Sequence, residues 1–517
     1  MNLENNEKTI FGHPAGLITL FFTEMWERFS FYGMRALLII FMSAALDKGG
    51  FGFNDDTAGA IYGLYVMGVY LLALPGGLIA DRLIGMKNAV WYGGIVIALG
   101  HFTMGIPGIL QVIGGHEGTA EVVTKLDTYP FYIGLILVVL GTGLLKPNIS
   151  AIVGELYKGK EGSARDAGFS IFYMGINIGA FAAPLICGSI AEYNWHLGFA
   201  TAGFGMVLGL IQYKLTHKSL AHVGNAKIPE NEKEIKANNS LKNIVLGFLV
   251  VATVVVAAMF MGIIPVDIYL IADTSKYIIA AVAFGYLGYV AFFGGVTKEE
   301  RKKVYVIAIL FVFAAVFWSG FEQAGSTLNL FADRFTNRQI FGWNMPAAWF
   351  QSANSMFIII FAPFFGAMWV NLARKKMEPS SPVKFGTGLV LLGIGFLIMY
   401  FAAKIAASGD LAAPTYLLFT YMFHTFGELC LSPVGLSLFT KLAPKKFVGQ
   451  MMGIWFLATS LGNLIAGLIS GEASGGTDEK LAEMPDMYML IVMTTVGAGL
   501  VLLVLYKPIR KLMGDVK

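Results

Sequence analysis

Cysteine is nearly absent. Cys187 and Cys430 are the only two in 517 residues, and each lies in an apolar run. A distant pair gives neither a disulfide framework nor the short spacing of a metal site. Charge is scarce as well: Asp, Glu, Lys and Arg make up 14% of the chain, against about 25% in a soluble domain. A soluble enzyme is thereby excluded. No hydrophilic block is available to hydrolyse ATP, which argues against a primary pump. The near match to a phosphate-binding loop, GELYKGKE from Gly154, puts Glu161 where a Mg²⁺-binding hydroxyl belongs, and no strand precedes it. The net charge of +4 is modest and its basic residues are scattered over loops, so there is no nucleic-acid patch. No cleavable signal peptide is legible in MNLENNEKTIFGHP, a polar stretch that runs straight into the first apolar segment. Neither a metal cluster nor an activated nucleophile is found, so no cofactor is expected and the chain is not read as an enzyme.

What is present is apolar length. Hydrophobic residues make up 56% of the sequence. Ile244 to Met261, Tyr277 to Gly295, Phe385 to Ala403 and Met489 to Leu505 can each cross a hydrocarbon core of about 30 Å. The pattern predicts an all-α polytopic membrane protein with about 14 transmembrane helices. Six spans over 14–215 and six over 304–507 carry the polar intramembrane residues. Between them lie a polar loop at 216–242 and an inserted helix pair at 243–294 without central charges. That is the layout of a transporter built from two six-helix bundles. Basic residues crowd alternate loops: Lys158, Lys160 and Arg165, then Lys214 to Lys242, Arg301 to Lys303, Arg374 to Lys376, and Lys441 to Lys446. The intervening loops hold Asp55, Asp56, Glu117, Glu121, Asp478 and Glu479. The charge bias places both termini in the cytoplasm. Arg334 and Arg338 fall on the acidic side and break the pattern.

The first span carries four charges. In TEMWERFSFYGMRALLIIFM, Glu24, Glu27, Arg28 and Arg35 interrupt an otherwise apolar helix. Each would cost roughly 2.5–3.5 kcal/mol at the bilayer centre facing lipid. At about 100° per residue, Glu24, Arg28, Phe31 and Arg35 share one side, and Glu24 and Arg28 are i,i+4 neighbours. Glu27 is adjacent to Arg28, does not face it, and is expected to reach a neighbouring span. The stripe must face the protein interior or a water-filled cavity. A structural ion network is the bland reading, but buried pairs stabilise poorly, so function is favoured.

Other spans add partners. Lys146 precedes Pro147 in GTGLLKPN, where helical geometry is disfavoured. Glu322 lies in FWSGFEQAGSTLNLF. Glu428 lies in FHTFGELCLSPVG, with Pro433 expected to break the turn after it. Asn177, Asn354, Tyr70 and Trp455 are also intramembrane. An isolated Asn is ordinarily helix–helix glue, and single aromatics ordinarily pack. Charges on four spans together describe a cavity of both signs, suited to a zwitterion.

These residues carry a family resemblance. EMWERFSFYGMR resembles the E-x-x-E-R-F-x-Y-Y-G-M-R signature of proton-coupled oligopeptide transporters, within the major facilitator superfamily. GGLIADRLIGMKN is similar to the superfamily's loop between helices 2 and 3, and DAGFSIFYMGINIGAF to the family's helix 5 signature. GLLKPN, EQAGSTLN, GELCLSPVGLS and MMGIWFLATSLGN match in order and spacing. Phe31 departs from the family's first tyrosine, which removes a hydroxyl and leaves Tyr32. The resemblance implies two six-helix bundles of major facilitator type plus the inserted pair, and proton-coupled symport of di- and tripeptides into the cytoplasm by alternating access. It implies that Glu24, Glu27, Arg28 and Glu322 couple protons. Arg28, Lys146 and Arg35 would attract the peptide carboxylate. Glu428, Asn177 and Asn354 would hold its amino group, and Tyr32, Tyr70 and Trp455 would line the pocket. Lys146 and Glu322 would pair between bundles.

The chemistry agrees without the family. Fixed end charges of opposite sign recognise a dipeptide's ends, and apolar walls tolerate its side chains. The partners expected are a small peptide, protons and membrane lipid, with no nucleic acid. A carrier for another solute, such as nitrate or a drug-like molecule, is the alternative, since fold does not fix substrate. Glu428 disfavours a pure anion. A receptor or channel would want a ligand-binding extramembrane domain or a symmetric pore motif, and neither is present.

Overall fold

The structure, a computed structural model, describes residues 9–114, 125–159, 162–472, 474–514 and 516. The expectations resting on residues 1–8, Glu117, Glu121, Lys160 and Glu161 lie outside the described residues, as does the side chain of Pro433.

In chain order the helices are α1 (Gly16–Ser43), α2 (Asp55–Leu71), α3 (Ala73–Ile79), α4 (Met86–Gly114), α5 (Lys125–Leu156), α6 (Gly162–Ala191), α7 (Trp195–Thr216), α8 (Glu232–Phe260), α9 (Ile268–Phe293), α10 (Lys298–Phe321), α11 (Thr327–Arg334), α12 (Ser352–Arg374), α13 (Ser381–Ala407), α14 (Pro414–Leu442), α15 (Val448–Glu472), α16 (Asp478–Val504) and α17 (Tyr506–Met513). The described strands are two hairpins of two-residue strands, Thr9–Ile10 with His13–Pro14 and Gln339–Ile340 with Trp343–Asn344. In lipid a helix satisfies its own backbone, so a multi-pass chain reads as helix after helix. Eleven helical segments among the described residues are long and apolar enough to cross a membrane. Of the fourteen expected, α1, α7 and α14 are outside that set. In α1 the reason is its four charged residues.

Several boundaries depart from expectation. The polar loop ends early, because Asn231 caps α8: its side-chain oxygen accepts the Glu234 N–H at 2.9 Å, with Glu232 and Glu234 in the first turn. Pro147 lies within a continuous α5. α14 runs unbroken from Pro414 to Leu442, so Pro433 does not end it. The expected span over 304–332 breaks instead at Glu322, where α10 passes into a 3₁₀ turn, Glu322–Gly325, before α11.

Close contacts divide the chain into two compact units. One holds residues up to Met34, Leu72–Ala180 and His196–Ile268; the other holds Arg35–Leu71, Phe181–Trp195 and Tyr269–Lys517. In the first, Leu17, Ala89, Leu145, Phe172 and Met206 belong to one buried core. In the second, α2 and α15 meet backbone to backbone: a Cβ on Gly59 would overlap the carbonyl oxygen of Gly467, and one on Gly467 would overlap that of Gly59. Without a hydrophobic drive between helices in lipid, such small-residue contacts give the close packing that holds helices together. α8 buries none of its residues, whereas α9 buries one face with Ala272, Ile279, Ala283, Leu287 and Val290.

The two arginines on the acidic side are accounted for by pairing. Arg334 donates through Nη1 and Nη2 to the two oxygens of Asp55, both at 2.7 Å, and Ser474 Oγ donates to Oδ2 of Asp55 at 2.6 Å. Arg338 pairs with Asp333 at 3.2 Å and donates to the Met345 carbonyl. Their charges are therefore locally balanced. Arg334→Gln should destabilise the detergent-purified protein by about 2–3 kcal/mol, since a largely buried carboxylate loses a bidentate partner. Lys302→Gln, which breaks an exposed pair with Glu299, should cost less than about 1 kcal/mol. Comparable melting temperatures for the two variants would remove this role from Arg334.

Candidate functional site

In the first unit, α1 presents Glu24, Glu27 and Arg28, all nearly fully buried. Arg28 Nε donates its single hydrogen to Glu24 Oε1 at 2.7 Å. Glu27 Oε2 stands at the same 2.7 Å from that nitrogen, but the hydrogen is aimed elsewhere and the contact is an ion pair rather than a hydrogen bond. Among the described residues no hydrogen bond reaches either oxygen of Glu27 or Oε2 of Glu24. The expectation that Glu27 turns away from Arg28 is thus corrected. The long side chains of adjacent residues fold back to meet even though their Cβ atoms diverge. Lys146 on α5 acts electrostatically on Glu27, and Tyr173 on α6 lies within the field of Glu24. The Arg28 guanidinium is 5.8 Å from the Phe31 ring centroid, and Phe31 meets Tyr32 edge to face. A phenyl ring can take that cation without a hydroxyl. Asn177 is half-buried, and its Nδ2 donates to the Tyr173 carbonyl one turn earlier at 2.9 Å, which leaves its Oδ1 to accept from others.

In the second unit, Arg35 is held on two sides. Its Nη2 donates to Glu322 Oε2 and its Nε to the Tyr62 hydroxyl, each at 2.7 Å. The resemblance implied Lys146 as the partner of Glu322; the ion-pair partner seen within this unit is Arg35. Glu322 is placed there by the 3₁₀ turn, a tighter winding that often marks a hinge. Gly325 closes that turn against the hydroxyl of Tyr62 and Nε of Arg35, and a Cβ would overlap both the hydroxyl and the guanidinium. Asn354 Nδ2 donates to Glu428 Oε2 at 3.2 Å and to Thr425 Oγ1 at 3.0 Å. Arg35 and Glu322 both act electrostatically on Glu428. The Ala324 carbonyl accepts from Tyr421 and from Gln351. Trp455 is buried among Trp318, Phe385 and Phe439. Tyr70 is half-buried near the end of α2.

Glu24, Glu27, Arg28 and Lys146 are therefore brought together in one unit, and Arg35, Glu322, Asn354 and Glu428 in the other. Sequence reasoning missed Tyr62, Thr425 and Gly325. Thr425 stands three residues before Glu428 on α14, a spacing that could have flagged it. Tyr62 is an ordinary tyrosine in an apolar run and carries no such signal. Among the described residues, no group of three or more His, Cys, Asp or Glu could hold a metal ion.

Comparison with known proteins gives one consistent set. The model of the POT family matches residues 87–482. The peptide transporter YePEPT of Yersinia enterocolitica subsp. palearctica serotype O:3 is 41% identical over 514 residues, covering 98% of this chain and 97% of that protein. The di-/tripeptide transporter of Lactococcus lactis subsp. cremoris is 36% identical over the full length of both. The crystal structure of a peptide transporter, POT, in complex with sulfate superposes with a TM-score of 0.86 at 37% identity, covering 98% of this chain and 97% of its own.

The tight seat of Gly325 makes a prediction. Gly325→Ala should displace the Tyr62 hydroxyl and loosen Arg35, destabilising by about 1–3 kcal/mol. Tyr62→Phe removes the oxygen that the new methyl meets. The double variant should be more stable than the sum of the singles by at least about 0.5 kcal/mol in a double-mutant cycle. Strict additivity of the melting data would show that the two residues do not share this space.

Proposed function

The chain belongs to the POT family, and on that premise we propose that it carries di- and tripeptides into the cytoplasm with protons, by alternating access. The observation that carries the reading is the sharing of one arginine nitrogen by two buried carboxylates on α1. Glu24 and Glu27 stand at hydrogen-bond distance from the same Nε, and one hydrogen serves one of them. A carboxylate with no donor of its own is a natural acceptor for a transported proton, because protonation removes a buried charge. Glu24, Glu27, Arg28 and Glu322 are the proton-coupling residues in this scheme. Arg28, Arg35 and Lys146 draw the peptide carboxylate. Glu428, held by Asn354, takes the amino group together with Asn177. Tyr32, Tyr70 and Trp455 supply walls that ignore side-chain identity. The name of the Lactococcus relative, a di-/tripeptide transporter, supports the substrate class.

The same reading divides the chain into an N-terminal bundle over 14–215, a cytoplasmic loop over 216–242, an inserted pair over 243–294 and a C-terminal bundle over 304–507. It places the protein in the bacterial inner membrane with both termini inside. Cys187 and Cys430 are buried, so a cysteine at exposed Asn239 gives a clean topological label. Asn239→Cys should react with an impermeant thiol reagent in inside-out vesicles and stay unreacted in right-side-out ones. Labelling from the outer face would reverse the orientation.

Glu27→Gln tests the coupling. Gln keeps the size but cannot titrate, so gradient-driven accumulation should be lost while counterflow of peptide, which needs only a loaded carrier, persists. Glu428→Gln should weaken both through binding, by about tenfold to a hundredfold in affinity for one lost charge-assisted contact. A purely structural role predicts lower yield and melting temperature, with transport per folded molecule intact. Proton-dependent accumulation by purified Glu27→Gln protein would sink the coupling role.

A further inference from the structure

A cleft of about 510 Å³ opens on the lysine-rich side of the first unit, away from the buried charges of α1. It lies between the start of α4, the end of α7 and the loop that follows α7. The loop is tied beneath α4: the Lys87 N–H donates to the Gly224 carbonyl at 3.0 Å, and Lys87 Nζ donates to the Leu220 and Ala221 carbonyls at 3.1 and 3.3 Å. Buried Tyr213 stacks on Trp91, and its hydroxyl donates to the Lys87 carbonyl. The cleft is therefore a built feature of the fold. Lys87, Lys214 and Lys218 line it together with His217, and no carboxylate is among its lining residues. The Lys214 ammonium stands 5.2 Å from the Trp91 ring centroid, which fixes one charge at the cleft wall. The nearby carboxylate of Glu155 is engaged by the Gly224 N–H at 2.7 Å.

The ligand chemistry follows from three cations, an indole and no anion. The cleft suits a phosphate ester. Its surroundings distinguish a lipid from a soluble phosphate. From the cleft, α4 continues with Tyr92 and Leu99 exposed, and α7 continues with Leu215, Ile211 and Phe204 exposed. In a multi-pass protein such faces meet acyl chains, and Trp, Tyr and Lys at the helix ends mark the headgroup level. Basic pockets between helices on the positive side are suited to anionic headgroups. We propose that this cleft seats the phosphate of an anionic phospholipid, whose acyl chains lie along the exposed apolar faces of α4 and α7. The site is distinct from the residues assigned to peptide and proton, and it holds whether or not that assignment does.

Native mass spectrometry of the purified full-length protein, with added dioleoylphosphatidylglycerol or dioleoylphosphatidylcholine, tests it. The wild-type protein should retain phosphatidylglycerol in preference to phosphatidylcholine. Each lysine near an anionic headgroup contributes about fivefold, so Lys214→Gln with Lys218→Gln should weaken retention roughly thirtyfold. Both lysines are exposed, so the melting temperature in detergent should not move. Lys233→Gln with Lys236→Gln removes the same net charge from the start of α8 and should leave retention unchanged. Excess inorganic phosphate should fail to displace the lipid. Equal retention by the Lys214/Lys218 variant, equal loss in the Lys233/Lys236 control, or full displacement by inorganic phosphate would each overturn the proposal.

Discussion

The constraint on which the rest of the first unit depends is the placement of Glu24, Glu27 and Arg28 within a single membrane-length helix. A charge facing hydrocarbon costs several kcal/mol. α1 can therefore exist only with those side chains turned inward and nearly fully buried. Turning them inward creates a second demand, because Coulomb attraction repays desolvation only when geometry and hydrogen bonds are good. Here one oxygen of Glu24 is hydrogen-bonded by Arg28, while neither oxygen of Glu27 receives a hydrogen bond among the described residues. A neighbouring helix answers with Lys146, whose charge acts on Glu27.

The second unit resolves the same problem differently. Arg35 is forked between a carboxylate and a phenol, and the carboxylate is delivered by a local tightening of the chain at Glu322. Gly325 is required because two polar groups fill the space a methyl would occupy. Asn354 spans two acceptors on α14, holding Glu428 in place while remaining neutral itself. The network thus joins a charged pair to neutral hydrogen-bonding groups.

Pairing also governs the periphery. Arg334 and Arg338 disturb a charge count along the loops, yet Asp55 and Asp333 neutralise them locally. A topology rule that counts lysine and arginine cannot see a carboxylate brought close by folding. α8 shows the opposite case. It has no buried face and no intramembrane charge, and its apolar side chains are sufficient to keep it in lipid.

Much of this was legible in the amino-acid order. Apolar length announces the membrane and the helices, because lipid admits few other backbones. Four charges in one apolar run announce an inward-facing stripe, because the alternative is too costly. The motifs from Glu24 to Asn463 announce the family, which the comparisons bear out along most of the chain. Tertiary structure alone decided the partners. Glu27 meets Arg28 although helical angles point them apart, Glu322 meets Arg35 across 287 residues of sequence, and Tyr62 enters the site without any local signal. Pro433, expected to break its helix, does not, Pro147 sits within a continuous helix where helical geometry was expected to be disfavoured, and the break falls at Glu322. The reason is range. Hydropathy and periodicity act within a turn or two of chain, whereas an ion pair depends on where distant helices place flexible side chains, and packing settles that only after every span has found its neighbours.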